Sequence, residues 1–411
     1  MMRRCVLTCM LAMLLPLCGC LESKQVNQYG YVQSIGLDKG ESKKYAFSFL
    51  MQQASASDMS SSGDQQAGMV IGAEGDTLFE AVTTMVAGFP YELNFTRTDA
   101  IFFSDEVARA GGMKEILQLS QSALKMRHSM KYFVILGSAL DFQKGLQTQS
   151  SPSLTQIQHS VEYNNRAEGI SPLINHALFY EAVTTQRFDP VVSLGGIDES
   201  IQEKSADDKT GQTDKVAKAQ EAAQKKEGST DGVPREGGMR AYIMGSALFD
   251  GLYMKGTLNG EETKYLLMAR GELHKAYINF VDSTGERFSI HITQEKKPKT
   301  RLEAAQTPHG SVYIPLTCEI HMSQAEHIFT TWETRLKAEL TAYMEDAIQG
   351  VFASCRSMGC DAIGFGRYAS LHFSDSNAWR AYEWKKKYGQ MQADFQVELV
   401  LHDAYMKNGM E

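Results

Sequence analysis

Residues 323–359, SQAEHIFTTWETRLKAELTAYMEDAIQGVFASCRSMG, decide the fold class of the C-terminal part of this chain, because they predict one long helix. Ser323 and Glu326 have the spacing of a capping box, and Gly359 follows the predicted end. Apolar residues recur along the helix at its natural period, at Phe329, Trp332, Leu336, Leu340, Tyr343, Ala347, Val351 and Cys355. One face of the helix is therefore expected to be buried against a core.

Two strands flank this helix in the sequence. Apolar residues alternate with other residues in both, at Val312, Ile314, Leu316, Cys318 and Ile320 and again at Phe395, Val397, Leu399 and Leu401. Pro315 cannot donate a hydrogen bond to a neighbouring strand, so it predicts that the first strand lies at a sheet edge. A long helix beside such strands predicts an α+β fold, with mixed or antiparallel sheets packed against helices.

The N-terminal half alternates between predicted strands and helices. Short apolar runs predict strands at residues 32–37, 45–50, 100–103 and 132–136. Asp76 has the position of an N-cap for a helix that stops at Gly88, with Leu78, Val82 and Met85 on one face. Ser171-Pro172 predicts the start of another helix, because proline is well suited to the first helical position.

A charged segment divides the chain into domains. Residues 198–238 are rich in Lys, Glu, Asp, Gln, Ser and Gly and have no large apolar stripe, which predicts a flexible linker or loop. We therefore expect an N-terminal α+β domain at residues 20–197, a middle α+β region at 239–300 and a C-terminal α+β domain at 301–411. No internal repeat is evident in the sequence.

The composition limits the partners. The chain has 411 residues, of which 43% are hydrophobic, so it can build two or three cores. Its net charge of −8 argues against nucleic acid, whose binding proteins usually present a basic face. The same charge argues against general adhesion to anionic lipids.

The first twenty residues predict export and lipidation. Arg3 and Arg4 precede an apolar run at residues 6–17, which is the layout of a secretory signal and is too short for a permanent span. The run ends in Leu17-Cys18-Gly19-Cys20, which has the form of a lipoprotein cleavage site. We expect removal of residues 1–19, attachment of a diacylglyceryl or palmitate-bearing lipid to Cys20, and location on the outer face of a membrane. An ordinary secreted protein cut elsewhere and an uncleaved anchor are the alternatives.

The sequence matches none of the catalytic or metal-binding motifs that we compared with it. His321 and His327 lack the spacing of a metalloprotease helix, and no G-x-S-x-G elbow is present. Cys355 and Cys360 could form a disulfide, or be small buried residues. We expect no catalytic residues, no metal site and no cofactor.

Several motifs in order along the chain resemble those of GerC-type spore germination lipoproteins. The resemblance is carried by LNGEETK (258–264), RGEL (270–273), CDAIGFG (360–366), and a Trp/Lys segment with Trp379 and Trp384-Lys385-Lys386. Further upstream, IGLDKG (35–40) is similar to a segment that follows the lipidated cysteine in that family. The resemblance covers nearly the whole mature chain.

The resemblance implies that the protein is the C subunit of a nutrient germinant receptor in the inner membrane of a dormant spore. The implied partners are a polytopic A subunit and a permease-like B subunit, and the implied role is signalling or interaction without catalysis. A solute-binding lipoprotein of an importer is the alternative function.

The motif residues also have structural interpretations. Gly364 and Gly366 are expected to form the start of a strand around Phe365, which would lie in the core. Arg270 and Glu272 are expected to form an ion pair, and Trp379 and Trp384 to be packing residues. Together with Asp361, these residues are the candidates for an interaction or structural motif: Arg270, Glu272, Asp361, Gly364, Phe365, Gly366, Trp379 and Trp384.

Overall fold

The computed structural model describes residues 29–52, 69–119, 126–147, 163, 167–197, 241–321 and 329–403. The strands are β1 Tyr29–Lys39, β2 Tyr45–Gln52, β3 Met69–Gly75, β4 Glu92–Asn94, β5 Ala100–Ser104, β6 Lys131–Leu136, β7 Val191–Ile197, β8 Ala241–Asp250, β9 Tyr253–Leu258, β10 Lys275–Val281, β11 Arg287–Thr293, β12 Lys299–Glu303, β13 His309–His321 and β14 Gln392–Asp403. The helices are α1 Leu78–Val86, α2 Asp105–Arg109, α3 Met113–Leu119, α4 Ala139–Gln147, α5 His176–Thr185, α6 Gly260–Arg270, α7 Phe329–Ser357, α8 Phe365–Ser370, α9 Ser376–Ala381 and α10 Trp384–Tyr388. None of the described helices is long and apolar enough to cross a bilayer.

The first sheet is mixed and follows the order β3-β2-β1-β5-β6-β7-β8-β9, with β4 paired to the start of β1. Its centre, from β1 to β7, is parallel, and the strands on both sides of this centre are antiparallel. Every residue of β5 is buried, as expected for a central strand with both faces covered. The predicted strands of the N-terminal half are therefore confirmed.

The second sheet follows the order β10-β11-β13-β12, and β14 lies parallel to β13 over twelve residue pairs. Burial alternates along β10, so one face of the sheet contacts the core, which also contains the buried face of α7. The prediction that Pro315 marks an edge strand is wrong, because β13 has strands on both sides. Pro315 pairs with Glu398 of β14, and on the other side it falls between the segments that pair with β11 and β12.

The long C-terminal helix is confirmed as α7, with 29 residues. Its buried face includes Leu336, Leu340, Met344, Ile348, Val351, Phe352 and Cys355. Tyr343 was predicted to belong to this face but is 38% exposed, because the stripe continues through Met344 one position further on. The predicted capping pair Ser323 and Glu326 and the side chains of Phe329 and Trp332 lie outside the described residues.

Two predicted helix starts in the first half are wrong. The N-cap of α1 is Thr77 rather than Asp76, since the Thr77 hydroxyl accepts from the Glu80 N–H at 3.3 Å. The Asp76 carboxylate accepts instead from the Lys44 N–H at 3.0 Å. Helix α5 begins at His176, after the N-cap Asn175, and not at Ser171-Pro172.

The two sheets divide the predicted middle region between them. Strands β8 and β9 complete the first sheet, whereas β10 and β11 belong to the second. The predicted linker at residues 198–238 lies outside the described residues. The architecture confirms an α+β, multi-domain fold with mixed and antiparallel sheets.

Candidate functional site

Asp361 is the centre of the CDAIGFG motif and is fully buried. Its carboxylate accepts hydrogen bonds from three successive backbone N–H groups, those of Gly364 at 3.0 Å, Phe365 at 2.9 Å and Gly366 at 2.6 Å. The indole Nε1–H of Trp384 donates to the same carboxylate at 3.0 Å. Asp361 therefore fixes the first turn of α8 and fastens α10 to it.

The two glycines of this motif are required by geometry. Gly364 has φ of 90°, a left-handed conformation that favours glycine. A Cβ on Gly366 would lie 2.5 Å from both the Arg187 carbonyl oxygen and Trp384 Nε1. The predicted strand start is wrong, because helix α8 begins here instead. Phe365 is fully buried beside Phe352, as predicted for a core residue.

Asp189 connects this motif to the first sheet. It lies just before β7 and is 2% exposed. The Asp361 N–H donates to Asp189 Oδ2 at 2.7 Å, and the Asp189 N–H donates to the Asp361 carbonyl oxygen at 3.1 Å. Lys385 of α10 donates to the Asp189 carboxylate and to Asp250 Oδ1 at 2.7 Å. We call Asp189, Asp250, Asp361, Trp384 and Lys385 the inter-sheet joint.

The charges of the joint are set by burial and by one another. Burial raises the pKa of Asp361 to about 6, although the N–H donors that favour the ionised form oppose this. Burial also raises the pKa of Asp189, against the attraction of Lys385. Burial alone would lower the pKa of Lys385, but the carboxylates of Asp189 and Asp250 raise it above its ordinary value. The joint therefore holds the partly exposed cation of Lys385 between the carboxylates of Asp189 and Asp250.

The other predicted motif residues lie around this joint. Arg270 pairs with Glu272 at 2.8 Å, as predicted, and also donates to the Ala362 carbonyl oxygen inside the CDAIGFG loop. Trp379 is 7% exposed and donates from Nε1 to the Thr185 carbonyl oxygen at 3.3 Å, at the end of α5. All eight candidate residues of this region are thus brought together where the two sheets meet. Cys20, the predicted lipid attachment residue, lies outside the described residues.

The IGLDKG motif serves the first sheet rather than the joint. Asp38 accepts from the backbone N–H groups of Ala139 at 2.7 Å and Leu140 at 2.9 Å, so it fixes the start of α4. A Cβ on Gly36 would lie 2.2 Å from Ser48 Oγ, which bonds to the buried Gln143 of α4 at 2.6 Å. The motif therefore holds α4 in contact with the first sheet.

Asp189 and Asp250 were not singled out by sequence reasoning, and Lys385 was quoted as part of the Trp/Lys segment but not as a site residue. A carboxylate directly before a buried apolar strand, as in Asp189-Pro190-Val191-Val192, was the one local signal, and it does not identify a partner 196 residues away.

Among the described residues, Cys318, Cys355 and Cys360 are free and buried. Burial raises the pKa of the Cys318 and Cys355 thiols to about 12. No group of described His, Cys, Asp and Glu side chains has the arrangement of a metal site.

Comparisons with known proteins match both parts of the chain. Residues 22–197 match the family described as "Spore germination protein N-terminal domain", and residues 244–403 match "Spore germination B3/ GerAC like, C-terminal". The fold is similar to that in "Crystal Structure of the GerBC protein", with a TM-score of 0.51 and 11% sequence identity, over 92% of this chain and 99% of that chain. No curated protein matches the chain.

Proposed function

The chain belongs to the GerC-type family of spore germination proteins, the C subunits of germinant receptors, and from this premise we propose how it is anchored and what it contacts. Its lipid is attached to Cys20, and the acylated protein sits on the outer face of the spore inner membrane. Its partners are the polytopic A subunit and the permease-like B subunit of one receptor. It acts as a non-catalytic signalling component.

The inter-sheet joint is the observation that supports a non-catalytic role. Residues that carry the family resemblance hold backbone groups and connect the two sheets, because their side chains bond to the backbone and to one another. Asp361, for example, accepts four hydrogen bonds from within the protein. A body whose two sheets are linked in this way is suited to transmit a displacement between partner subunits.

The lipid supports the role by mass action. An acylated Cys20 would confine the protein to the membrane plane and raise its effective concentration near integral partners. The solute-binding alternative gains no support from the fold. Its two similar βα-repeating lobes are not found, because the described strands form two sheets of different size and order.

Germination of spores from a deletion strain tests this proposal. We expect a selective loss of the response to one group of nutrients, scored as loss of refractility, and restoration by the wild-type gene. Cys20→Ala should fail to restore the response and should move the protein from the membrane to the soluble fraction. Cys18→Ala is the matched control, because this neighbouring thiol leaves with the predicted signal. A normal response with a soluble Cys20→Ala protein would contradict the anchoring, and unchanged germination of the deletion strain would contradict the receptor role.

A further inference from the structure

The two ends of β1 differ sharply in chemistry. At its end, Lys39 pairs with Glu106, and in the following turn Lys43 pairs with Glu80 at 2.7 Å. The turn residues 41–44 are all exposed. At its start, by contrast, the chain presents tyrosines and an uncharged loop.

The loop between α1 and β4 forms one side of this second end. Residues 86–91 have the sequence VAGFPY and contain no charge. Val86 is 46% exposed, and Ala87, Gly88 and Pro90 are exposed as well. The rings of Phe89 and Tyr91 are in edge contact, with centroids 5.4 Å apart.

This loop lies directly against the first residues of β1. A Cβ on Gly30 would be 3.2 Å from Phe89 Cε1, and β4 pairs with β1 from Tyr29 to Tyr31. Tyr29 and Tyr31 point to the opposite face of the strand from Gly30, and their half-buried rings are 6.0 Å apart. The Arg97 guanidinium lies 4.5 Å from the centroid of Tyr31. Aromatic side chains therefore flank the start of β1 on both faces. We call Tyr29, Tyr31 and residues 86–91 the apolar rim.

We infer that the apolar rim rests in the interfacial layer of the lipid bilayer and orients the protein on the membrane. This inference depends on the proposed lipid at Cys20. Nine residue steps separate Cys20 from Tyr29, and even fully extended they span at most roughly 30 Å. The lipid therefore keeps the rim within roughly 30 Å of the membrane, whereas the ion-paired turn lies roughly 35 Å further along β1.

Tyrosine and other aromatic rings suit this layer, because they combine an apolar body with a polar tip. An uncharged loop with exposed Val86 and Pro90 can enter the headgroup region without burying a charge. With the net charge of −8, contact through apolar and aromatic groups is favoured over attraction to anionic headgroups. The ion-paired turn at the other end of β1 would then point into water.

Fluorescence quenching by the bilayer tests the inference on the full lipidated chain. The protein is placed in phosphatidylglycerol–phosphatidylethanolamine vesicles whose acyl chains carry bromine, a short-range quencher of tryptophan. Val86→Trp is the test variant and Glu41→Trp, in the exposed turn at the far end of β1, is the matched control. The emission of the unsubstituted protein is subtracted from both.

We expect the bromine to quench most of the emission that Val86→Trp adds and to leave the emission that Glu41→Trp adds unchanged. Pro90→Trp, at a second exposed rim position, should behave like Val86→Trp and guards against a local folding defect. The inference would be overturned if bromine quenched the rim and turn variants equally in protein that sediments with the vesicles. That outcome would leave the anchor intact. Protein that stays in the supernatant without an acyl label would overturn the anchor itself, and the inference with it.

Discussion

At the scale of single residues, a buried carboxylate can be used to fix backbone rather than to react. Asp361 accepts three N–H groups from one turn and an indole N–H from a neighbouring helix. Asp38 does the same on a smaller scale at the start of α4. Both carboxylates have a pKa raised mainly by burial, which shows that the loss of water outweighs the hydrogen bonds they receive.

The raised pKa of Asp361 predicts a pH-dependent contribution to stability. Because the folded pKa is about 6 against an ordinary 3.8, the folded protein binds more protons than the unfolded chain between these values. The contribution is fully present below pH 3.8 and is lost as the pH rises through 6. Wild type should thus lose up to about 3 kcal/mol of unfolding free energy relative to Asp361→Asn between pH 4 and 7.

Urea denaturation of both proteins at pH 4, 5.5 and 7 measures this difference. The Asp361→Asn protein is the reference for the wild type at each pH, because the two proteins share all other titrating groups. A stability difference that stays constant with pH, or that grows in favour of wild type, would show that Asp361 has no raised pKa.

At the scale of secondary-structure elements, glycine positions separate close packing from open surface. At Gly366, in the first turn of α8, there is no room for a Cβ, because the Arg187 carbonyl oxygen and the Trp384 indole lie too close to the Cα. On the solvent side of α7, a Cβ on Gly350 would meet nothing within 4 Å. The same residue type is therefore a packing requirement in one helix and a weak point in the other.

Gly366→Ala and Gly350→Ala should have opposite effects on stability. Gly366→Ala forces α8 away from Trp384, and we expect a loss of about 1–3 kcal/mol, the usual cost of overpacking. Gly350→Ala should gain up to about 1 kcal/mol, because alanine favours a helix interior over glycine. Thermal and urea unfolding of both variants checks the pair. Equal effects would indicate that the helix α8 contact with Trp384 is loose.

At the scale of the whole molecule, the joint lies beside apolar contacts that also connect the two sheets, since one core contains Val191, Leu248 and Leu258 of the first sheet together with the buried face of the second sheet. The members of the joint come from the segment just before β7, the last residue of β8, the loop after α7 and helix α10. Lys385 is the shared element, since it contacts carboxylates from two parts of the first sheet. The ion pair between the buried Asp189 and the partly exposed Lys385 therefore links helix α10 to the first sheet.

Lys385→Ala should weaken this connection. It leaves Asp189 buried without its cation, and removing one partner of a buried pair costs about 3–5 kcal/mol, here at the lower end because Lys385 is partly exposed. We expect calorimetry to show unfolding of Lys385→Ala at a lower temperature than that of the wild type. Lys386→Ala is the matched control, because the adjacent Lys386 side chain is 75% exposed and pairs with the exposed Glu383. Identical transitions for the two variants would argue against the joint.

Local sequence patterns predicted the elements well. The long helix α7 and the alternating strand β14 follow from apolar periodicity, which depends only on residues close in the chain. The ordered motifs also carried the family resemblance. Errors arose where two nearby residues competed for one role, as Thr77 and Asp76 did for the cap of α1.

The sequence by itself determined the periodic elements, the α+β class and the family, because each is written in residue type and spacing. Tertiary structure alone decided that Asp189 meets Asp361 across 172 residues, and that Pro315 lies in an interior strand. It also decided that β8 and β9 join the first sheet. The physical reason is that strand neighbours and buried ion pairs depend on how distant segments exclude water together. No local period encodes which carboxylate and which lysine become enclosed in the same place.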